Sequence, residues 1–414
     1  MPATARPVLS ALCSPADAQR IMRGEGPPEA FAHHGAPARL PSALTVPELA
    51  SLERLFASYD GLVCFGNSRT GASTLSVERA SATMLFQMGL SLYLPDIADR
   101  LASLPPLLRQ LEQELGAPPG AARIGAFAAP AGNGATCHFD AEEVFSIQLV
   151  GEKCFQIARA SEIDAPYGMQ FNPGLPCQED LYPQAPAGFP NPDRASFETV
   201  HMRPGSVLFM PRGTWHWTEA GGESLSVSII VRMPSALDCA LAALRNRMLQ
   251  QPRWRRPLYG AWGNADDRQS AQAQWGELMA SGGALTAGLA LEDALVAMLP
   301  ERERRAWATP ATRFQRRPES RLEFSDRPGG GLDARVACRN QSGVESVPLR
   351  LEVPLAMIPM FRWLAAREAA FGLADLQADC PGVESALYLQ VADALVRGGY
   401  LRQLWFGPPG GSIL

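Results

Sequence analysis

Between Arg123 and Val231 the sequence breaks repeatedly into short apolar runs separated by Pro- and Gly-containing turns, and this pattern limits the fold more than any other feature. Ile124–Phe127, Val144–Val150, Lys153–Ala158, Val207–Met210 and Leu225–Val231 read as strands. Pro130-Ala-Gly-Asn-Gly134, Met202-Arg-Pro-Gly205 and Pro211-Arg-Gly213 read as turns. Short strands joined by such turns point to an antiparallel sandwich or barrel. Val144–Val150 and Lys153–Ala158, joined at Gly151-Glu152, are expected to form a hairpin.

The flanks differ. Residues 1–45 are rich in Ala, Pro and Gly without periodicity and read as a loosely structured arm. Leu49, Leu52, Leu55 and Phe56 give helical spacing over 47–59, and Leu62–Phe65 reads as a strand. Val77 to Leu115 carries helical spacing through Met84, Leu85, Met88, Leu92, Leu101, Leu108 and Leu111, with Pro95 and Pro105-Pro106 dividing it. After Pro234, Leu237, Leu241, Leu244 and Met248 share a helical face, and Leu289, Leu291, Leu295, Met298 and Leu299 suggest a second helix. From about Pro310, strand-like pieces at 321–324, 335–338 and 347–351 precede helical segments at 356–371 and 385–397.

Composition narrows the function classes. Lys and Arg together number 37 against 42 Asp and Glu, a net charge of -5, so bulk nucleic-acid binding is not expected. No run of 18 apolar residues is present, so no membrane span is expected, and no export signal is read near the first residues. The eight cysteines are scattered without a C-x-x-C spacing, which fits free thiols in a reducing cytoplasm. Only one lysine, Lys153, occurs in 414 residues. A position that stays Lys in a chain so rich in Arg is a candidate for a site that needs a compact ammonium; one lysine placed by chance is the plain alternative.

Thr136-Cys-His-Phe-Asp140 is the chemical centre. On a strand, residues 136, 138 and 140 point to one face, so His138 and Asp140 can bind one metal ion together. His216, in Pro211-Arg-Gly-Thr-Trp-His216, offers the second imidazole. Two His and one carboxylate form the facial set of non-heme Fe(II) oxygenases. By alternation Lys153, Phe155 and Ile157 share a face; if that face is interior, the ammonium needs a partner, and a dicarboxylate cosubstrate would supply one. Thr136 shares the face of His138, so its hydroxyl reaches either the cosubstrate or a neighbouring backbone group. Ser224, Ser226 and Ser228 alternate on the last strand, where one of them could touch the cosubstrate. Trp215 and Trp217 flank His216; core packing is the expectation for them. His33 and His34 are expected to be solvated, and His201 to lie at a strand edge.

His138-Phe-Asp-Ala-Glu-Glu-Val-Phe-Ser-Ile-Gln-Leu-Val-Gly-Glu-Lys153, with Met202-Arg-Pro-Gly-Ser-Val-Leu-Phe-Met-Pro-Arg-Gly-Thr-Trp-His216, resembles the JmjC-type, cupin-fold Fe(II)/2-oxoglutarate oxygenases, and among them most resembles the ribosomal oxygenases. The resemblance spans roughly residues 123–232. Ser206 stands where the family has an acidic residue, Phe209 where it has Tyr, and Cys154-Phe155 where it has a basic-Trp pair.

The resemblance implies an α+β chain with a mainly β core. It implies a double-stranded β-helix catalytic domain over 46–233, a helical dimerisation segment over 234–309 and a winged-helix-like domain over 310–414. It implies Fe(II) on His138, Asp140 and His216, and 2-oxoglutarate held through its distal carboxylate by Lys153. Ser226 matches the family's polar position ten residues after the last His. The implied activity is hydroxylation of a protein or peptide side chain, by a homodimer. Small-molecule hydroxylation and a non-catalytic cupin binding protein are the alternatives.

Overall fold

The computed structural model describes residues 7–23, 29–59, 63–66, 75–77, 79–168, 170–173, 179–186, 188–291, 293–295, 297–298, 312–327, 331–338, 349–382 and 384–404. The chain divides into two compact units, Met1–Arg232 with Ala306–Leu414, and Met233–Arg305.

Eleven strands build the β core of the first unit. They are β1 (Phe31–His33), β2 (Val63–Gly66), β3 (Leu75–Val77), β4 (Ser91–Leu94), β5 (Ala122–Ala129), β6 (Glu143–Val150), β7 (Lys153–Arg159), β8 (Glu198–Met202), β9 (Val207–Met210), β10 (Thr214–Ala220) and β11 (Ser224–Val231). A major sheet runs β1-β9-β6-β11-β5-β4-β2-β3 and a minor sheet β10-β7-β8, with antiparallel pairing throughout. Val144, Phe155, Ile157, Met202, Leu208 and Met210 come from both sheets and pack into one cluster, which identifies the interior. The sandwich expected from the strand-and-turn pattern is present.

The expected hairpin is not. β6 pairs with β9 and β11, whereas β7 pairs with β8 and β10. Gly151-Glu152 therefore carries the chain from the major sheet to the minor one. Both neighbours of β6 are already taken, so a tight turn that would suit a hairpin becomes a corner. Gly151 sits at φ +67°, and a Cβ there would overlap the Glu223 carbonyl, so the corner requires glycine.

Two further expectations change. Residues 1–45 are not a loose arm where they are described: they form helices Val8–Leu12 and Pro15–Arg23, and β1 joins the edge of the major sheet at β9. Glu114 accepts hydrogen bonds from the Val8 and Leu9 amides, and Arg39 donates to the carbonyls of Ala11, His33 and Gly205. These partners are distant in sequence, so no local pattern announces them. The helical reading of 77–115 holds for Arg79–Gln87 and Leu104–Leu115, but Leu92 lies on β4. There Leu92 and Leu94 are buried and alternate with half-buried Ser91 and Tyr93, a period of two in a piece too short to distinguish from helix. The helix Leu104–Leu115 buries Leu104, Leu107, Leu108 and Leu111 and ends at left-handed Gly116.

The chain from Arg313 builds its own hydrophobic core around Phe314, Leu364, Phe371, Tyr388, Leu395 and Tyr400. It contains the pair β12 (Arg313–Arg316) and β16 (Leu401–Leu404). A second sheet holds β13 (Ser320–Asp326), β14 (Leu332–Cys338) and β15 (Leu349–Val353). Helices Ile358–Ala366, Leu373–Asp379 and Ser385–Arg397 complete it.

The second unit is helical, with Ala236–Leu249, Pro252–Arg255 and the long Ala265–Thr286. Ser235 and Asp238 form a reciprocal cap at the first helix. Leu237, Leu241, Tyr259, Trp262 and Trp275 are exposed. Residue 299, part of the expected second helix, lies outside the described residues. Among the described residues no helix is long and apolar enough to cross a membrane.

Candidate metal and cosubstrate site

The segment 132–140 lies beside β10 and is held there by backbone bonds. Ala220 N donates to Asn133 O at 2.8 Å and Thr218 N to Ala135 O at 3.1 Å; His138 and His216 exchange two bonds, at 3.0 and 2.7 Å. A Cβ at Gly134 would overlap the Thr218 carbonyl, so this approach also requires glycine. The segment is not the regular strand expected from sequence: isolated bridges at His138 and Phe139 take its place.

The bridge brings the two imidazoles side by side, with ring centroids 4.1 Å apart and the planes tilted by 58°. His216 Nε2 lies 3.8 Å from Asp140 Oδ2, and the donor atoms of His138, Asp140 and His216 all fall within 4.8 Å of one another. Among the described residues this is the one group of three or more such side chains arranged to hold a metal ion. Both rings are pinned alike. His138 Nδ1 lies 2.6 Å from Thr136 O and His216 Nδ1 lies 2.9 Å from Thr214 O. A carbonyl only accepts, so each Nδ1 carries a proton toward it, which leaves Nε2 of each ring as the nitrogen able to bind metal. Burial, reinforced by His138, holds His216 below the usual imidazole range; Asp140 opposes this only in part. Two imidazoles and a carboxylate make a donor set that fits Fe(II).

Lys153 opens β7 and faces the interior, 4% exposed. The alternation of Lys153, Phe155 and Ile157 inward is as the sequence predicts. Its Nζ donates to Ser226 Oγ at 2.9 Å. Among the described residues no carboxylate pairs with it, and burial pushes its pKa down to about 8. Glu143 is taken by Arg212, at 2.6 and 2.9 Å. A buried ammonium with only a hydroxyl for company fits an incoming carboxylate.

Of the three serines on β11, Ser226 faces Lys153, while Ser224 accepts from Gln148 Nε2 at 2.8 Å. Thr136 is near the ligands, but its hydroxyl accepts from Asn172 Nδ2 at 3.0 Å, a partner that is neither cosubstrate nor backbone. Trp215 is core, fully buried against Phe139 and Phe171. Trp217, 36% exposed, lines a shallow cavity of about 480 Å³ with Thr136, Cys137, Thr218 and Glu219. His201 lies on edge strand β8, beside Cys154 Sγ at 3.1 Å. His34 is not simply solvated: its Nδ1 lies 2.9 Å from the hydroxyl of buried Ser206.

Three neighbours escaped the sequence reading. Gln148 is fully buried and its amide nitrogen bonds Val150 O, Gly151 O and Ser224 Oγ. Tyr93 stacks on Phe127 at 4.5 Å and covers Gly125, where a Cβ would overlap its ring; Phe127 pairs in turn with Ser226. Asn172 lies in the Pro-rich stretch. Gln148 sat within a quoted motif, whereas Tyr93 and Asn172 had no local signal.

Residues 111–239 match the family model described as JmjC domain. Over 268 residues the chain is 28% identical to the uncharacterized protein YxbC of Bacillus subtilis (strain 168), covering 62% of this chain and 80% of that one. Over 108 residues it is 32% identical to lysine-specific demethylase 8 of Xenopus tropicalis, covering 25% of this chain and 24% of that one. Among solved structures it is similar to Escherichia coli ycfD, with a TM-score of 0.45, 15% identity and coverage of 93% and 98% of the two chains. The His-Asp-His set and the interior lysine all fall inside the stretch, residues 111–239, that is similar to the JmjC domain.

Proposed function

We propose that this 2-oxoglutarate-dependent oxygenase hydroxylates a side chain of a protein or peptide, such as a ribosomal protein or a biosynthetic precursor peptide. The observation that carries the reading is the convergence of His138, Asp140 and His216 in a fold that also buries Lys153, which has no counter-charge among the described residues. Similarity over 108 residues to a lysine-specific demethylase supports a protein substrate.

In this reading His138, Asp140 and His216 hold Fe(II), and Lys153 with Ser226 holds the distal carboxylate of 2-oxoglutarate. When bound, the metal and cosubstrate supply the oxidising power for hydroxylation by dioxygen, coupled to decarboxylation. The chain's own residues do the rest. The Thr136 and Thr214 carbonyls fix the tautomers, so that Nε2 of each imidazole is free to bind metal. Lys153 neutralises the cosubstrate, and the apolar cluster of Val144, Phe155, Ile157, Met202, Leu208 and Met210 keeps water from that end. Thr136 stands beside the ligands rather than as an established cosubstrate contact. Trp217 and Glu219 form the wall that a substrate chain would meet.

Residues 46–233 form the catalytic domain in this scheme. Residues 234–309 form a homodimer through their exposed apolar side chains, and 310–414 a winged-helix-like domain that docks the peptide. A cytoplasmic protein fits the free thiols of Cys13, Cys64, Cys137, Cys154, Cys239 and Cys380. The test is incubation with Fe(II), ascorbate, 2-oxoglutarate and candidate peptides. Succinate together with a product heavier by one oxygen supports the proposal. Peptides left unmodified while a small molecule is hydroxylated would favour the alternative.

A further inference from the structure

The Pro-rich stretch between β7 and β8 does more than connect two strands. It packs Ile163, Leu181 and Phe197 against Phe139, Ala158 and Trp215 on the outer side of the minor sheet. At Phe171 it joins the metal-bearing segment itself: Phe139 N donates to Phe171 O at 3.0 Å, and Phe171 N to Phe139 O at 2.9 Å. The rings of Phe139, Phe171 and Trp215 close on one another, with centroids 4.8 to 5.8 Å apart.

Backbone alternation gives this pairing its meaning. The N–H and C=O of His138 point to β10, and those of Phe139 point away from it. Without the Pro-rich stretch, the far side of the H-x-D segment would be an unpaired edge lying between two metal ligands. Phe171 pairs that edge through its own isolated bridge. The next residue, buried Asn172, reaches Thr136: its Nδ2 donates to Thr136 Oγ1 at 3.0 Å. Thr136 is the residue whose carbonyl holds His138 Nδ1 at 2.6 Å. Thr214, which plays the same part for His216, has its hydroxyl tied at 2.6 Å to Pro211 O within its own turn. The His138 side has no such local tie; its anchor comes from 36 residues away.

We infer that Asn172 is a positioning residue for the metal centre, acting through Thr136 on the orientation of His138. The inference rests on the reading of His138, Asp140 and His216 as metal ligands. Outer partners of a ligating His contribute about 10- to 100-fold in metal affinity. The relay therefore predicts a measurable loss of metal binding without any change in the ligands.

Titration calorimetry of Co²⁺ into the metal-free full-length chain tests this. Asn172→Ala and Thr136→Val should each weaken Co²⁺ binding by about tenfold, and Thr136→Ser should restore it. In the Thr136→Val background, Asn172→Ala should cost nothing further, because the relay is already cut. Thermal unfolding of each variant checks the fold, and Thr136→Val, which leaves the Pro-rich stretch untouched, remains decisive if Asn172→Ala unfolds. Parental affinity in Thr136→Val, or an additive loss in the double variant, overturns the inference alone. Absence of Co²⁺ binding in the parent, or binding unchanged in His138→Ala, overturns the metal reading and the inference with it.

Discussion

Lys153 donates to Ser226 Oγ at 2.9 Å inside the β core, and this hydroxyl is its hydrogen-bond partner among the described residues. An ammonium 4% exposed gains little from one neutral hydroxyl against the cost of leaving water. The pair is thus arranged for a third group that brings negative charge.

If that group is the distal carboxylate of 2-oxoglutarate, Lys153→Ala should raise the apparent KM for 2-oxoglutarate. The lost charge-assisted contact is worth about 1.5–3 kcal/mol, roughly ten- to a hundred-fold. Metal binding should persist, and Lys153→Arg should keep part of the activity. Steady-state kinetics in 2-oxoglutarate decides; an unchanged KM in the Ala variant removes the assignment.

The same burial sets a pH dependence. Lys153 is lowered from 10.5 to about 8, so between these values the folded chain has released a proton that the unfolded chain still holds. The unfolded state binding more protons means that this group's contribution to stability rises with pH from about 8 to 10.5. Binding of 2-oxoglutarate has the opposite sign and should weaken as pH passes about 8, because the ammonium is lost. Affinity measured from pH 7 to 10 should fall for the parent and stay flatter for Lys153→Arg.

His138→Ala or Asp140→Ala should abolish succinate formation and leave the fold intact, since the remaining two ligands cannot hold Fe(II) in the facial geometry. Assay of succinate with circular dichroism as control settles this. Undiminished succinate in either variant would falsify the ligand assignment.

Gly151→Ala should destabilise the chain by about 2 kcal/mol or more, from the left-handed backbone and from overlap with the Glu223 carbonyl. Urea unfolding measures it. Gly222→Ala, with no atom within 4 Å of the added carbon, is the matched control and should be close to neutral.

Tyr259 is 81% exposed and Trp262 92% in the helical unit. A homodimer that covers them should appear at twice the monomer mass in light scattering at micromolar concentration, and a monomeric mass would contradict the assembly.

Much of this molecule is written locally. Short apolar runs bounded by turn residues placed β5, β6, β7, β9 and β11 close to their observed bounds, because strands buried on both faces read as continuous apolar pieces and only β7 alternates. The H-x-D spacing and the distant His216 pointed to three side chains that the fold brings together, and the solitary Lys153 to a position that it buries, because metal and cosubstrate chemistry restricts the residue types that can serve. What local pattern could not decide was partnership. Whether Gly151 closes a hairpin or turns a corner depends on strands more than 50 residues downstream that already flank β6. β1 and Arg39 are ordered by β9 and Gly205, far along the chain. Asn172 and Tyr93 carry no motif; each matters only because the fold sets it beside Thr136 or Gly125. Residue chemistry and local periodicity are properties of sequence, whereas pairing and burial exist only once remote segments have met.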